Sequence, residues 1–281
     1  MAGVRIVTDS ACDLPQEVVD RFGIEIVPLT IRFGAEEFVD RFGLSAESFY
    51  EKMASAEVLP ETAAPAPGQF QEVFSRLADD GADAVVCVNL SSELSATMAS
   101  AQNAAKALDG RCDVRVVDSR SITGGQGTMV RKAAELAAGG GGVDDVVKLI
   151  DDLAARTRLY GALDTLENLK KGGRIGGAQA ALGSLLSIKP IIHIGPAGKV
   201  EEAGKQRTRK KALVWLRDKL FEEDEVENLT LCSGMAPDVD ELLDLLSPRF
   251  SRSEINTYTI GATIGAHGGP RVIGLTWQDT H

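Results

Sequence analysis

Short apolar runs alternate with helical patterns through the first half of the chain, and this alternation constrains the fold more than any other feature. The run 84–90 reads AVVCVNL, and strand patterns also occupy 4–10 and 114–119. Strands with so little polar alternation are typical of a parallel sheet that helices cover on both faces. We therefore predict an α/β fold that begins with a parallel sheet.

The second half has a less regular pattern. The segments 158–164, 189–195 and 228–234 read as strands, 198–206 reads as a polar strand, and 178–187, 207–221 and 237–247 read as helices. Segment 254–277 resembles two strands around a glycine-rich turn. We predict a mixed sheet here, and hence two α/β domains: an N-terminal domain over 1–157 and a C-terminal domain over 158–281.

Helix start and stop signals give the local expectations for the first half. Gly23 is expected to end a helix that follows Pro15, Ser45 is expected to cap another, and Pro67 suits a first helical turn. We predict one strand region over 24–33, a loop over 62–68, a helix from about Ser95 to Leu108, and a helix that begins at Thr128.

Composition excludes several function classes. The net charge of −11 in 281 residues disfavours nucleic acid as a partner. The four cysteines form no C-x-x-C pair, and no His/Cys/Asp cluster has the spacing of a metal site, so no metal is expected. The sequence has no signal-peptide pattern and no run of 18 apolar residues, which favours a soluble cytoplasmic protein.

Hydroxyl side chains gather where the buried run 84–90 gives way to a helix. Ser91, Ser92, Ser95 and Thr97 follow that strand. In parallel sheets, ligands lie beyond the carboxyl ends of the strands, and a helix N-terminus favours an anion. Plain helix capping by Ser91 or Ser92 is the alternative. The residues leave both readings open.

Three further positions are candidates for binding an anion. Thr62 lies on a proline-rich loop, and Arg174 follows a pair of glycines and suits a carboxylate or phosphate. His267 is flanked by glycines that permit close approach, whereas His193 alternates within a strand and His281 is a terminal residue expected to be disordered. Thr62 in a structural turn and Arg174 as a solvated side chain remain alternatives.

Motifs of known catalytic sites are missing. The sequence has no G-x-S-x-G elbow, and GPAGKV fails the P-loop pattern because Val200 stands where Ser or Thr is needed. The segment GGQGTMV has only part of a dinucleotide-binding fingerprint. Catalysis by this chain alone therefore has little support from the residues.

Seven stretches follow one another along the chain: TDSACDLP, ETAAPAPGQF, LSSELSAT, VVDSRSITGGQG, LENLKKGGRIG, KPIIHIGPAGKVEEAGKQRTRKKA and IGAHGGP. In this order they resemble the DegV family of bacterial fatty-acid-binding proteins. The sequence differs from the common family pattern at Ala63, Ala66, Ala96 and Arg271. The resemblance implies a long-chain fatty acid enclosed between two α/β domains, with no cofactor.

The resemblance also implies roles for particular residues. It places the hydroxyls of Thr62, Ser91 and Ser92 on the fatty carboxylate, with Arg174 and His267 as polar neighbours. Some members of the family are the lipid-carrying subunits of fatty acid kinase and present the carboxylate to a separate kinase subunit, which forms an acyl phosphate. A stand-alone hydrolase or phosphotransferase and a lipid-sensing interaction protein are the alternatives.

Basic residues cluster in an otherwise acidic chain just before the predicted helix 207–221. They are Lys205, Arg207, Arg209, Lys210 and Lys211. Cations at a helix start oppose the macrodipole, so a chain under no other pressure would place acids there. We predict that Arg207 and Arg209 dock a kinase subunit, or a membrane surface during transient lipid exchange. A solvated face paired with Glu201 or Glu202 is the alternative.

Overall fold

The computed structural model describes residues 3–108, 110–183 and 188–280. Within these ranges, thirteen strands form three sheets and ten α-helices pack on them. The strands are β1 (Val4–Asp9), β2 (Glu25–Val27), β3 (Thr30–Phe33), β4 (Glu36–Val39), β5 (Glu61–Ala63), β6 (Ala84–Asn89), β7 (Asp113–Asp118), β8 (Thr157–Ala162), β9 (Lys189–Ile194), β10 (Val200–Gln206), β11 (Val226–Ser233), β12 (Asn256–Thr259) and β13 (Ile273–Asp279). The helices are α1 (Gln16–Phe22), α2 (Ala46–Ser55), α3 (Pro67–Asp79), α4 (Thr97–Lys106), α5 (Thr123–Ala138), α6 (Val143–Arg156), α7 (Glu167–Lys171), α8 (Arg209–Phe221), α9 (Val239–Leu246) and α10 (Ala262–Gly268).

The first sheet has the order β2-β1-β6-β7, and every neighbouring pair is parallel. All six residues of β6 are buried, because α3 and α4 cover one face of the sheet while α5 and α6 cover the other. The predicted parallel sheet is therefore confirmed. Gly23 ends α1 in a left-handed conformation, and the Ser45 hydroxyl caps α2, both as predicted.

The second sheet has the order β10-β9-β8-β13-β11-β12. Only β11 and β12 pair in parallel, so the predicted mixed sheet is confirmed. One face packs on α8 and α9 around the fully buried Trp277, and the other faces α5 and α6. The predicted domain boundary between 157 and 158 falls one residue after β8 begins, and it stays a prediction.

Helix α5 lies between the two large sheets and contacts β1 on one side and β11 on the other. The sequence predicted that this helix begins at Thr128, but it begins at Thr123 and contains Gly124, Gly125 and Gly127. A Cβ atom at Gly127 would lie under 3.0 Å from the backbone carbonyl oxygen of Cys12. The glycines stand inside the helix because its neighbours leave no room for side chains.

Other boundaries also differ from the predictions. The predicted strand region 24–33 splits into β2 and β3, which belong to different sheets, and the predicted loop over 62–68 contributes β5 to a small sheet of order β4-β3-β5. Hydrogen bonding between distant strands creates β5, which local residue preferences do not reveal. The expected turn in 254–277 contains α10.

Two more predictions concern segments near the candidate site. In place of the predicted helix over 178–187, the structure has a 3₁₀ helix over Gly176–Gly183. Residues 184–187 of the predicted helix lie outside the described residues, and so does His281. Helix α4 begins at Thr97, two residues after the predicted start near Ser95, because residues 91–95 form a turn. Among the described residues, no helix combines the length and apolar composition needed to cross a bilayer.

Buried acids attach the first turn of α10 to the N-terminal half. The Gly261 N–H donates to Asp13 Oδ1 at 2.9 Å, and the Thr263 hydroxyl donates to Asp40 Oδ2 at 2.5 Å. The Ser10 hydroxyl also donates to Asp40 Oδ2, at 2.8 Å. Burial raises the pKa of both carboxyls, to about 8 for Asp13. These contacts fix the helix that carries His267.

Gly127→Ala tests the packing of α5. The added methyl group must displace the Cys12 carbonyl, so we expect the free energy of unfolding to fall by about 2 kcal/mol or more. Gly68→Ala in α3 is the matched control, because a Cβ there meets no atom within 4 Å. Urea unfolding should show the control unchanged or more stable by up to about 1 kcal/mol. Equal effects of the two substitutions would contradict this account.

Asp13→Asn tests the buried carboxyl. Between pH 4 and 8 the unfolded Asp13 is ionised while the folded one keeps its proton, so wild-type stability falls as the pH rises through this window. Asparagine still accepts from Gly261 but cannot titrate. We expect the variant to gain stability over the wild type between pH 5 and pH 8.5, measured by urea unfolding. Asp79→Asn removes an exposed carboxylate and controls for the lost charge. If the stability difference between Asp13→Asn and the wild type were the same at pH 5 and at pH 8.5, Asp13 would not titrate as a buried group.

Candidate functional site

A largely apolar cavity lies between the two halves of the molecule. The space between its lining atoms, open mouth included, is about 860 Å³. Its walls come from the loops after β6 and β7, from β5, β8, β9, β11 and β13, and from α10. Its apolar lining includes Leu29, Leu90, Leu94, Ile122, Leu159, Leu163, Leu169, Ile192, Val200, Ile260, Ile264, Val272 and Leu275.

Two paired glycines form part of the cavity wall on the second sheet. Gly161 in β8 and Gly274 in β13 stand opposite each other in the antiparallel register, and both line the cavity. An ideal Cβ at Gly274 would lie within 3.0 Å of the Tyr160 carbonyl oxygen, whereas one at Gly161 would make ordinary contacts. Without side chains here, an elongated ligand can lie directly on the strand backbones.

Polar side chains from four segments meet at one part of this lining. They are Thr62 in β5, Ser95 in the turn before α4, Arg174 after α7, and His267 in α10. The Thr62 hydroxyl and His267 Nε2 are 2.9 Å apart. The structure therefore brings together three of the residues predicted to bind the ligand, Thr62, Arg174 and His267. It adds Ser95, which belongs to the hydroxyl cluster of the sequence but is not among the predicted ligand-binding residues.

His267 is held in its neutral form. Burial, together with the nearby Arg174 guanidinium, lowers the pKa of His267 to about 4. Its Nδ1 faces Gly172, where an ideal Cβ would collide with the ring. Gly172 ends α7, and its lack of a side chain makes room for the imidazole. A neutral imidazole can donate or accept one hydrogen bond without bringing a buried charge.

Arg174 supplies the positive charge beside the cavity. Its Nε donates to the Leu94 carbonyl at 3.0 Å and one Nη to the Gly172 carbonyl at 2.6 Å. These bonds hold the half-buried side chain against the turn that carries Ser95. Among the described residues, no carboxylate lies within ion-pair distance of Arg174. An arginine held in this way is suited to an anionic ligand.

Ser91 and Ser92 do not line the cavity. The Ser91 hydroxyl is buried and donates to the Gly198 carbonyl at 2.8 Å, which attaches the turn to the loop between β9 and β10. The exposed Ser92 hydroxyl donates to Asp118 at 2.5 Å. Neither serine caps α4. Ser95 lines the cavity, and its hydroxyl lies 2.8 Å from the Thr97 hydroxyl. The sequence alone carries no signal that distinguishes Ser95 from its neighbours.

The predicted basic cluster divides into free and paired residues. Arg209 is bidentate to Asp238, at 2.7 and 3.0 Å, with only 13% of its side chain exposed, so it cannot belong to a solvated docking face. Lys205 pairs with Glu202. Arg207, Lys210 and Lys211 are exposed and, within the described ranges, have no ion-pair partner. Thr208 caps α8.

Within the described residues, His193 does not line the cavity. His193 pairs with Glu201 and stacks on Tyr160 at the second sheet. Within the part of the chain that the structure describes, no group of three or more His, Cys, Asp or Glu side chains could hold a metal ion. The convergent polar residues at the apolar cavity are therefore the candidate functional site.

Known proteins resemble this chain over its full length. The family model described as an uncharacterised protein of the DegV family matches residues 3–280. A DegV domain-containing protein of Listeria innocua is 34% identical over 279 residues, which cover 98% of both chains. The match confirms the family resemblance that the seven stretches gave.

Solved structures share the fold. A structure described as fatty acid binding of a DegV family protein from Thermus thermophilus has a TM-score of 0.90, 31% identity and 99% coverage of both chains. A stearic acid-binding protein from Eubacterium ventriosum has a TM-score of 0.87, 27% identity and 98% coverage of both chains. By sequence and by structure, this chain belongs to the DegV family.

Proposed function

We propose that this protein binds a long-chain fatty acid in its cavity and holds the carboxylate with Thr62, Ser95, Arg174 and His267. The observation that carries the proposal is the convergence of these four polar side chains on an otherwise apolar cavity. Fatty acids bound by similar proteins, including stearic acid, support it. Ser95 replaces the predicted Ser91 and Ser92 in this proposal, because Ser95 lines the cavity and those two serines do not.

The chemistry of the four residues suits a carboxylate. If His267 Nε2–H donates to Thr62 Oγ1, the hydroxyl hydrogen of Thr62 is free to donate to the ligand. Ser95 offers a second hydroxyl, and Arg174 offers a cation that lacks a carboxylate partner within the described structure. A buried carboxylate without such partners would be strongly disfavoured.

The apolar walls would supply most of the affinity. At roughly 0.8 kcal/mol for each buried methylene, an 18-carbon chain contributes about 10 kcal/mol before the entropy of ordering it is subtracted. The polar residues would then select and orient the head group. We also propose that the protein is a carrier and not an enzyme. The Thr62 hydroxyl and His267 Nε2 are 2.9 Å apart, but His267 Nδ1 has no hydrogen-bond partner among the described residues that would orient the ring as a general base, so we assign this pair to holding the carboxylate.

We further propose that the carrier presents the carboxylate to a separate kinase subunit, which forms an acyl phosphate in the cytoplasm. Family resemblance supports this step, and so do the exposed Arg207, Lys210 and Lys211 at the start of α8. These three residues replace the predicted pair Arg207 and Arg209 as the docking patch. The same patch would suit transient contact with an anionic membrane during lipid exchange.

The head-group assignment is tested with Thr62→Ala combined with Ser95→Ala. The purified protein is extracted under denaturing conditions and the extract analysed by mass spectrometry. We expect the wild type to carry close to one fatty acid per chain. Two lost hydrogen bonds to a charged group should weaken the binding of added stearic acid by about tenfold or more.

Ser92→Ala is the matched control, since it removes a hydroxyl from the same turn that faces Asp118 instead of the cavity. The control should bind stearic acid like the wild type. If the double variant also binds like the wild type, the head-group assignment is wrong. A wild-type protein that carries no fatty acid, yet turns over a soluble phosphorylated substrate, would favour the stand-alone enzyme.

The docking patch is tested with Arg207→Glu combined with Lys210→Glu. Acyl phosphate formation is measured as the hydroxamate, with ATP, the fatty-acid-loaded carrier and the kinase subunit of the same organism. We expect a several-fold slower reaction at low salt and a smaller effect at high salt, because surface charges steer association and salt screens them.

Lys106→Glu combined with Lys148→Glu makes the same charge change on α4 and α6, and both positions are exposed. This control should leave the rate and its salt dependence unchanged. If both double variants slowed acyl phosphate formation equally, the net charge of the protein would explain the effect, and α8 would not be a docking site. Bound fatty acid should be the same in all three proteins.

A further inference from the structure

Gly161 is a glycine within a regular strand of the cavity wall. It lies in β8, where it pairs with Gly274 of β13 on one side and with Ile192 of β9 on the other. We call Gly161 and Gly274 the glycine pair. A glycine weakens the interior of a strand, because it loses more backbone freedom on folding than other residues and has no side chain to pack. Its presence in β8 therefore needs a physical reason.

The backbone at Gly161 does not require a glycine. Gly161 is not one of the described glycines with positive φ, so other residues can adopt its conformation. Strand β8 pairs with β9 and with β13 without a shift of register, so Gly161 does not belong to a β-bulge either.

Packing within the protein does not require a glycine at this position. An ideal Cβ at Gly161 would lie 3.7 Å from Leu163 Cδ1 and 3.8 Å from Ile192 Cγ1, and a carbonyl oxygen of β13 would be 3.9 Å away. These are ordinary van der Waals distances. Gly274 differs, because a Cβ there would lie within 3.0 Å of the Tyr160 carbonyl oxygen. The protein itself therefore excludes a side chain at Gly274 but not at Gly161.

The missing side chain of Gly161 is on the cavity side of the sheet. Residues two apart in a strand share a face, and Leu159 and Leu163, on either side of Gly161, both line the cavity. Ile192, the other side chain that a Cβ at Gly161 would contact, lines it as well. A side chain at position 161 would therefore take up space in the cavity.

The glycine pair lies away from His267. Gly268, the residue after His267, packs on Val272, since an ideal Cβ at Gly268 would lie 3.3 Å from Val272 Cγ1. Gly274 is two residues further along the chain, which corresponds to about 7 Å in a strand. The glycine pair therefore faces a part of the cavity suited to the chain of a fatty acid and not to its carboxylate.

We propose that Gly161 determines the length of the acyl chain that the cavity accepts, because a long chain crosses β8 in contact with the Gly161 backbone. The proposal rests on fatty acid binding as proposed above and adds the residue that admits long chains. A glycine inside a strand is typical of a place where another backbone or a ligand approaches closely. At Gly274 the close neighbour is the backbone of β8, and at Gly161 it is the ligand.

Gly161→Ala and Gly161→Val separate the needs of the protein from those of the ligand. Urea unfolding of delipidated protein should show Gly161→Ala at least as stable as the wild type, because the unfolded chain loses freedom and the methyl group meets open space. The same methyl group should weaken the binding of stearic acid several-fold. Valine fills more of the path and should weaken it by about tenfold or more.

Octanoic acid tests the dependence on chain length. Its short chain can remain between the head-group residues and the glycine pair, so both variants should bind it as the wild type does. Gly68→Ala is the control for the substitution itself, because it adds a methyl group in α3, outside the cavity lining. It should bind both acids like the wild type. Gly274→Ala should be less stable than the wild type without any ligand.

Loss of stability in delipidated Gly161→Ala, as in Gly274→Ala, would mean that packing requires the glycine and would overturn the proposal. Unchanged stearic acid binding in both variants at position 161 would overturn it too. So would an equal loss of octanoic and stearic acid, which would place the glycine pair at the head group. In each case the wild type still binds stearic acid and fatty acid binding stands. A wild type that binds neither acid contradicts fatty acid binding itself.

Discussion

The close approach of α5 to both large sheets is the constraint on which the rest of the structure depends. Gly127 lets the helix pack on the Cys12 carbonyl, and Gly124 lets it pack on β11 and β13. Side chains at these positions would push the two sheets apart. Because the cavity is bounded by the second sheet and by the segment that starts α5, the same contacts determine its width.

The proposed function separates affinity from orientation. In it, the apolar walls would remove a hydrocarbon chain from water without directional preference, whereas the four polar residues would act only at one place. Burial lowers the pKa of His267 and keeps it neutral, and among the described residues that line the cavity the positive charge comes from Arg174 alone. The buried Asp13 and Asp40 act at a distance, because they hold the first turn of α10 and so the position of His267.

Much of the fold could be predicted because its signals are local. The buried run of β6, the glycine that ends α1 and the serine that caps α2 each depend on a few adjacent residues. The predictions failed where tertiary contacts override local preference. The sequence predicts a glycine-rich turn within 254–277 and a helix that starts only at Thr128, yet close packing makes the glycine-rich segments parts of α10 and α5.

The sequence by itself determined the α/β class, the parallel first sheet, and Thr62, Arg174 and His267 as candidates, because residue chemistry and the order of motifs carry that information. Tertiary structure alone decided which hydroxyls face the cavity. Ser91, Ser92 and Ser95 are chemically alike, but the turn directs the first two to Gly198 and Asp118 and the third to the cavity. Tertiary structure also decided that Arg209 forms an ion pair while Arg207 has no ion-pair partner among the described residues, because Asp238 reaches Arg209 only after the chain has folded.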